Sequence, residues 1–232
     1  MVEIKGIEKF APKDFPGHIS TTVFVGLCNF RCPFCHNADL VLKPESLPSF
    51  PMEYIFSHLD SRKDWLEAVC VSGGEPLLHD DLGILLRIFK DRNLLVKIDT
   101  NGSFPDRLQA LLAEELIDVL AMDIKAPLAK YSQVTASDVE TEKIVKSIEI
   151  IKKSNRNYIF RTTAVPGLVD AADLVEIGRL LEGSEVFQLQ QFDPVNTLDK
   201  KFRNVKPYSR KVLQEMAESL KPYFDEVKLE GI

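Results

Sequence analysis

Apolar and polar positions along the chain switch repeatedly between a period of two and a period near 3.6. Short β-branched runs predict strands over 19–25, 68–71, 94–98, 118–124, 157–164, 186–190 and 226–229. The run Ala68-Val-Cys-Val71 is apolar throughout, the pattern of a strand buried on both faces. Between the strands, helical spacing predicts a helix over 52–59 with Pro51 suited to its first turn. A second helix starts from Asp80 or Asp81 and turns Leu82, Leu85, Leu86 and Phe89 to one face. A third covers 104–115. Ser137-x-x-Glu140 is a capping-box signature before a helix with Ile144, Val145, Ile148 and Ile151 inward. Asp170 or Asp173 starts a helix carrying Leu174, Ile177, Leu180 and Leu181, and a last helix over 209–220 is stopped by Pro222. Residues 1–18 are Pro- and Gly-punctuated and read as a strand or hairpin across one end of the main body.

Strand and helix alternate throughout, which predicts an α/β fold with parallel strands and crossover helices. Six or seven βα units suit an incomplete (β/α)6-type TIM barrel better than a full eight-fold one. The expected organisation is a single domain over 1–232: an N-terminal extension (1–18), a core barrel (19–199) and a C-terminal helix and strand (200–232). Hydrophobic residues make up 45%, ample for one large core. Lys and Arg total 29 against 35 Asp and Glu, a net charge of −6, which argues against a nucleic-acid surface. No apolar run approaches the ~18 residues of a membrane span, and no segment reads as a signal peptide. The expectation is a protein of the reducing cytoplasm.

Against that background the four cysteines stand out. Cys28, Cys32 and Cys35 fall within eight residues, spaced C-x3-C-x2-C, directly after the first core strand. Clustered thiols in a cytosolic-looking chain favour metal or redox chemistry over a disulfide framework. A zinc or iron–sulfur site takes four ligands, and this loop offers three, leaving one position open for something other than protein. The alternative is a zinc knot completed by Cys70 or His36, although Cys70 lies in an apolar strand and reads as a small hydrophobe. The other unusual segments, Gly73-Gly-Glu-Pro76, Asp99-Thr-Asn-Gly102, Asp123-Ile-Lys125, Val165-Pro-Gly167 and Gln191-Phe-Asp-Pro194, also follow strands. In parallel βα architectures such loops line one mouth, where ligands bind. The histidines at 18, 58 and 79 have no partner visible in the sequence and are expected at the surface.

The cysteine triplet with Phe34 before its third member, joined to Gly73-Gly-Glu some forty residues on, resembles the radical S-adenosylmethionine (SAM) enzymes. Cys35-His-Asn37, the DTNG, DIK and VPG segments make it most similar to activators of glycyl-radical enzymes. The long form of the anaerobic ribonucleoside-triphosphate reductase activators comes first, and the pyruvate formate-lyase activators next. The resemblance implies that Cys28, Cys32 and Cys35 hold a [4Fe–4S] cluster whose fourth iron is chelated by SAM. Reductive cleavage would then yield methionine and a 5′-deoxyadenosyl radical that takes hydrogen from a glycine of a partner enzyme.

It further implies that Gly73, Gly74 and Glu75 receive the methionine ammonium, and that Phe34 and His36 flank the cluster beside the adenine. Thr100, Asn101, Lys125, Arg161 and Val165 would bind the cofactor. Asp99, Thr100 and Asp123, with the Ala121 carbonyl, would offer hard oxygens to Na+ or K+. The partners implied are a glycyl-radical protein such as anaerobic ribonucleotide reductase, and flavodoxin or ferredoxin as electron donor. The family's usual Gln-Gly before the first cysteine is Gly26-Leu27 here. Two other readings stand beside this one: a small-molecule radical enzyme of the 7-carboxy-7-deazaguanine synthase kind, and a zinc-stapled binding protein without catalysis.

Overall fold

A computed structural model describes residues 2–231. The chain packs into two compact units. The first comprises the described residues up to Asn29, together with Asp39–Thr100 and Phe104–Leu120; the second comprises Phe30–Ala38, Asn101–Ser103 and the described residues from Ala121 onward.

In the first unit, β1 (Ile4–Glu8) pairs antiparallel with β2 (Ser20–Val25), Ile4 opposite Val25 and Glu8 opposite Thr22. Parallel pairing follows from β2 to β3 (Ala68–Gly73) and on to β4 (Leu95–Thr100). Val23, Val69, Cys70, Val71, Val96 and Ile98 are fully buried, as expected where helices cover a parallel sheet. The crossovers include α1 (Ala38–Leu42, mostly in this unit), α2 (Met52–Asp60), α3 (Leu82–Lys90) and α4 (Pro105–Ala113). The expected stripe of Leu82, Leu85, Leu86 and Phe89 on α3 is buried. Pro51 is the N-cap of α2, a step ahead of the first turn.

β5 (Val119–Asp123) runs from the first unit into the second. The second unit continues with α5 (Tyr131–Thr135), α6 (Thr141–Lys152), β6 (Asn157–Ala164), α7 (Ala171–Leu181), β7 (Ser184–Gln191), α8 (Arg210–Leu220) and β8 (Phe224–Glu230). β6, β7 and β8 pair in parallel, with Phe160 opposite Phe187 and Ser184 opposite Phe224. The rings of Phe187 and Phe224 stack at 4.7 Å. α7 starts with a reciprocal cap: Asp173 N–H donates to Asp170 Oδ1 at 3.0 Å and Asp170 N–H to Asp173 Oδ2 at 3.1 Å. Ser209 caps α8 one way only, its hydroxyl accepting from Val212 N–H at 3.4 Å.

Two expectations need correction. Ser137 does not cap α6: its hydroxyl donates to Thr135 O and accepts from Arg31 N–H, and Glu140 holds the N-cap position without a side-chain cap. His58 is 5% exposed rather than at the surface, because it shares the inward face of α2 with Ile55 and Leu59 and hydrogen-bonds Thr21 Oγ1 at 2.9 Å. Among the described residues no helix is long and apolar enough to cross a membrane.

Candidate active site

In the first unit, the end of β3 is sewn to the backbone that leads into Cys28. Gly74 N–H donates to Val25 O at 2.9 Å, and Glu75 N–H to Leu27 O at 2.8 Å. Gly73 adopts φ +115°, and a Cβ there would lie 2.5 Å from Val25 O. A Cβ on Gly74 would lie 1.8 Å from Leu27 O, so the two glycines are what permit this approach. Leu27 itself has φ +64°, the left-handed region that favours glycine, at the position where the resemblance would place Gly.

Glu75 is 1% exposed, and its Oε1 accepts from Thr100 Oγ1 at 2.7 Å and Leu77 N–H at 3.0 Å. Strand alternation puts Lys97 and Asp99 on one face of β4, where the ammonium donates to Asp99 Oδ1 at 2.5 Å. Ser72 Oγ donates to Asp99 Oδ2 at 3.0 Å. Arg107 donates to Leu77 O at 2.7 Å and Leu78 O at 2.6 Å and pairs with Asp80, fixing the turn after Pro76. His79 Nε2 lies 2.9 Å from Gly26 O.

In the second unit, the rest of the cysteine loop is clamped by segments far away in sequence. Arg31 N–H donates to Thr135 O, Leu198 N–H to Cys35 O and Asp199 N–H to Pro33 O, at 2.9–3.1 Å. Cys35 N–H closes a turn onto Cys32 O at 3.0 Å. Cys32 and Phe34 are buried, whereas His36 is exposed with Nδ1 3.2 Å from Val195 O. Asp123 accepts from Arg161 Nε at 2.8 Å and Lys125 Nζ at 3.1 Å. Tyr131 is fully buried, donates to Asp123 O at 3.4 Å and accepts from Lys125 N–H at 3.3 Å. Asn101 Oδ1 accepts from Ser103 N–H and Oγ, an Asx turn. Val165 is buried, its carbonyl accepting from Leu168 and Val169 N–H. Gln191 Oε1 is buried with no hydrogen-bond partner among the described residues, an acceptor suited to a donor brought by a ligand.

The sequence profile of the Radical SAM superfamily matches residues 22–181. The chain belongs to that superfamily. It is a radical SAM enzyme, and its relatives narrow the class further. A Methanocaldococcus jannaschii protein described as a candidate glycyl-radical enzyme activating enzyme is 32% identical over 99% of this chain and 96% of its own length. The pyruvate formate-lyase-activating enzyme of Streptococcus mutans is 24% identical over 84% of the chain and 78% of its own length. The crystal structure of Streptococcus suis SuiB bound to S-adenosylmethionine superposes with a TM-score of 0.69 at 16% identity, covering 88% of this chain and 48% of that one. At that identity the likeness speaks for fold alone: the parallel α/β fold of the radical SAM enzymes, the incomplete-barrel class expected from the alternation of strands and helices.

Membership implies SAM and a [4Fe–4S] cluster as cofactors. The loop's chemistry fits that donor set. No disulfide engages its cysteines. Burial pushes the Cys35 thiol above its usual value and Asp123 adds to the rise, while the Asn37 N–H and the Lys125 ammonium oppose it. Burial lowers Lys125, but Asp123 and the thiols of Cys32 and Cys35 outweigh that and hold it above its usual value. Burial raises Tyr131 likewise, keeping its hydroxyl protonated. Cys28 belongs to the first unit and Cys32 and Cys35 to the second. Within neither unit do three His, Cys, Asp or Glu side chains among the described residues form a ready-made metal cage. Lys97, Arg107 and Tyr131 escaped the sequence reading. Only Lys97 had a local signal, a lysine inside an apolar strand with an acid two residues on.

Proposed function

We propose that this radical SAM enzyme activates a glycyl-radical enzyme, with anaerobic ribonucleotide reductase as the protein substrate. The observation that carries the reading is kinship along nearly the entire chain with a candidate activating enzyme. Cys28, Cys32 and Cys35 would hold the cluster, which, with flavodoxin or ferredoxin as electron donor in a cytoplasmic setting, would supply the electron for reductive cleavage of SAM and so the 5′-deoxyadenosyl radical that would take hydrogen from a glycine.

The chain's own residues bind and orient. Cys28, Cys32 and Cys35 are the ligands, and the clamps from 135 and 198–199 hold the latter two at fixed spacing. Glu75, desolvated and oriented by Thr100, offers carboxylate oxygen to an ammonium, while the glycines before it let a ligand reach backbone. Lys125 and Arg161 are cationic partners for the carboxylate of SAM, Phe34 and Val165 give apolar walls, and His36 and Asn101 supply polar groups near the adenosine.

The test is anaerobic reconstitution, reduction and mixing with SAM and the reductase, followed by electron paramagnetic resonance. A glycyl-radical doublet on the reductase is expected. SAM cleavage with no such doublet would move the reading to a small-molecule substrate. A colourless protein that keeps zinc would overturn it.

A further inference from the structure

The carboxylates that the family resemblance would give to a monovalent cation are already matched with cations of this chain. In the second unit Asp123 faces Lys125 and Arg161. In the first unit the match is tighter. Lys97 is 3% exposed, its Nζ sits 2.5 Å from Asp99 Oδ1, and Ser72 occupies the other oxygen at 3.0 Å. Cys70, the register partner of Lys97 on β3, places its Sγ 3.7 Å from the same ammonium. A buried ammonium survives only with a counter-charge in contact, and a thiol and a carboxylate are the groups supplied here. An ammonium is a compact unit charge of the kind that an alkali ion would bring to Asp99. A second cation would meet a carboxylate already engaged at both oxygens and would be repelled by Lys97. The hard-oxygen set expected from the DTNG segment therefore does not fit Na+ or K+.

We propose that Lys97 is a built-in counter-cation, neutralising Asp99 so that the strand end carrying Thr100, and through it Glu75, is held without a monovalent metal. Lys97 is thus a positioning residue for SAM binding and touches no substrate. The inference rests on superfamily membership, not on the identity of the activated partner, so the failure of either leaves the other standing.

The reconstituted holoenzyme is assayed for SAM affinity by equilibrium dialysis, and for thermal midpoint, in sodium, potassium and choline chloride at equal ionic strength. Wild type should bind SAM within twofold in all three and melt at one temperature. Lys97→Met keeps the apolar stem but strips the charge. Its affinity and melting temperature should fall in choline and recover saturably as Na+ or K+ is added, a rescue that loss of packing alone would not show. A tenfold loss of wild-type SAM affinity in choline overturns the proposal. So does a folded Lys97→Met that responds to alkali ions no more than wild type. Should that variant not fold, Lys97→Met with Asp99→Asn removes both charges, and it should fold and ignore the cation.

Discussion

Replacing Gly74 by alanine tests the junction between the two motifs. Gly74 is not among the glycines with positive φ, so the change carries no backbone strain and its effect is steric. The new Cβ would lie 1.8 Å from Leu27 O and 2.6 Å from Leu27 C, both backbone atoms that no rotamer change can move aside. Contact distance lies more than about 1 Å farther out. Relief requires Leu27 to retreat, which breaks the 2.8 Å bond from Glu75 N–H and carries Cys28, the next residue, with it. One hydrogen bond at about 1 kcal/mol and overpacking at about 1–3 kcal/mol give a loss of roughly 2–4 kcal/mol. Urea unfolding of the apo chain measures that loss, and iron and sulfide content after reconstitution measures the displacement of Cys28. Gly167→Ala is the control: φ is +84° but nothing lies within 4 Å of its Cβ, so only backbone strain of about 1 kcal/mol is expected, with full iron content. Should Gly74→Ala unfold at the wild-type urea midpoint and load its iron in full, the coupling of GGE to the cysteine loop is refuted.

Leu27→Gly relieves the left-handed strain at a site 48% exposed, and should be at least as stable as wild type to within about 1 kcal/mol by urea unfolding. His58 is held below its usual value by burial first, then by Arg62 and Lys9. The unfolded chain then binds the extra proton, so stability is full above about pH 6.5 and falls as the pH drops towards the folded value. His58→Gln should flatten that part of a melting-temperature profile. Asp118 accepts from Lys90 Nζ at 2.7 Å and Val96 N–H at 2.7 Å, and Asp118→Asn should cost about 1–2 kcal/mol in the same unfolding assay. Cys32→Ala should lose iron binding on reconstitution while keeping its far-ultraviolet circular dichroism, since the cores lie in the sheets and helices.

Where short-range pattern carries the information, the fold was legible. The β-branched runs and the Leu82–Phe89 stripe lie where spacing puts them, because burial of a face is written locally. Strand ends were less so: β4 runs on through Asp99 and Thr100 and β7 through Gln191, polar residues that extend a strand once their side chains find partners. Ser137 misled because a hydroxyl in cap spacing was taken by Thr135 O and Arg31 N–H, the latter 106 residues away. His58 misled because a polar residue on an inward stripe counts as a surface signal until its hydroxyl partner, Thr21, is known. The same holds for the candidate site. The cysteines, GGE and DTNG announced themselves by residue type, whereas Arg107 and Tyr131 act through carbonyls and amides that no spacing rule reveals.

The clamp on the cysteine loop sets an order of events in biosynthesis. The amides that donate to the carbonyls of Pro33 and Cys35 belong to Asp199 and Leu198, which leave the ribosome more than 160 residues later. A nascent chain with only its first half emerged has its thiols but not the seat that spaces them. Iron and sulfide delivery to this loop thus waits for the segment through Asp199, and chains cut short before residue 195 should carry the motif without the means to hold it.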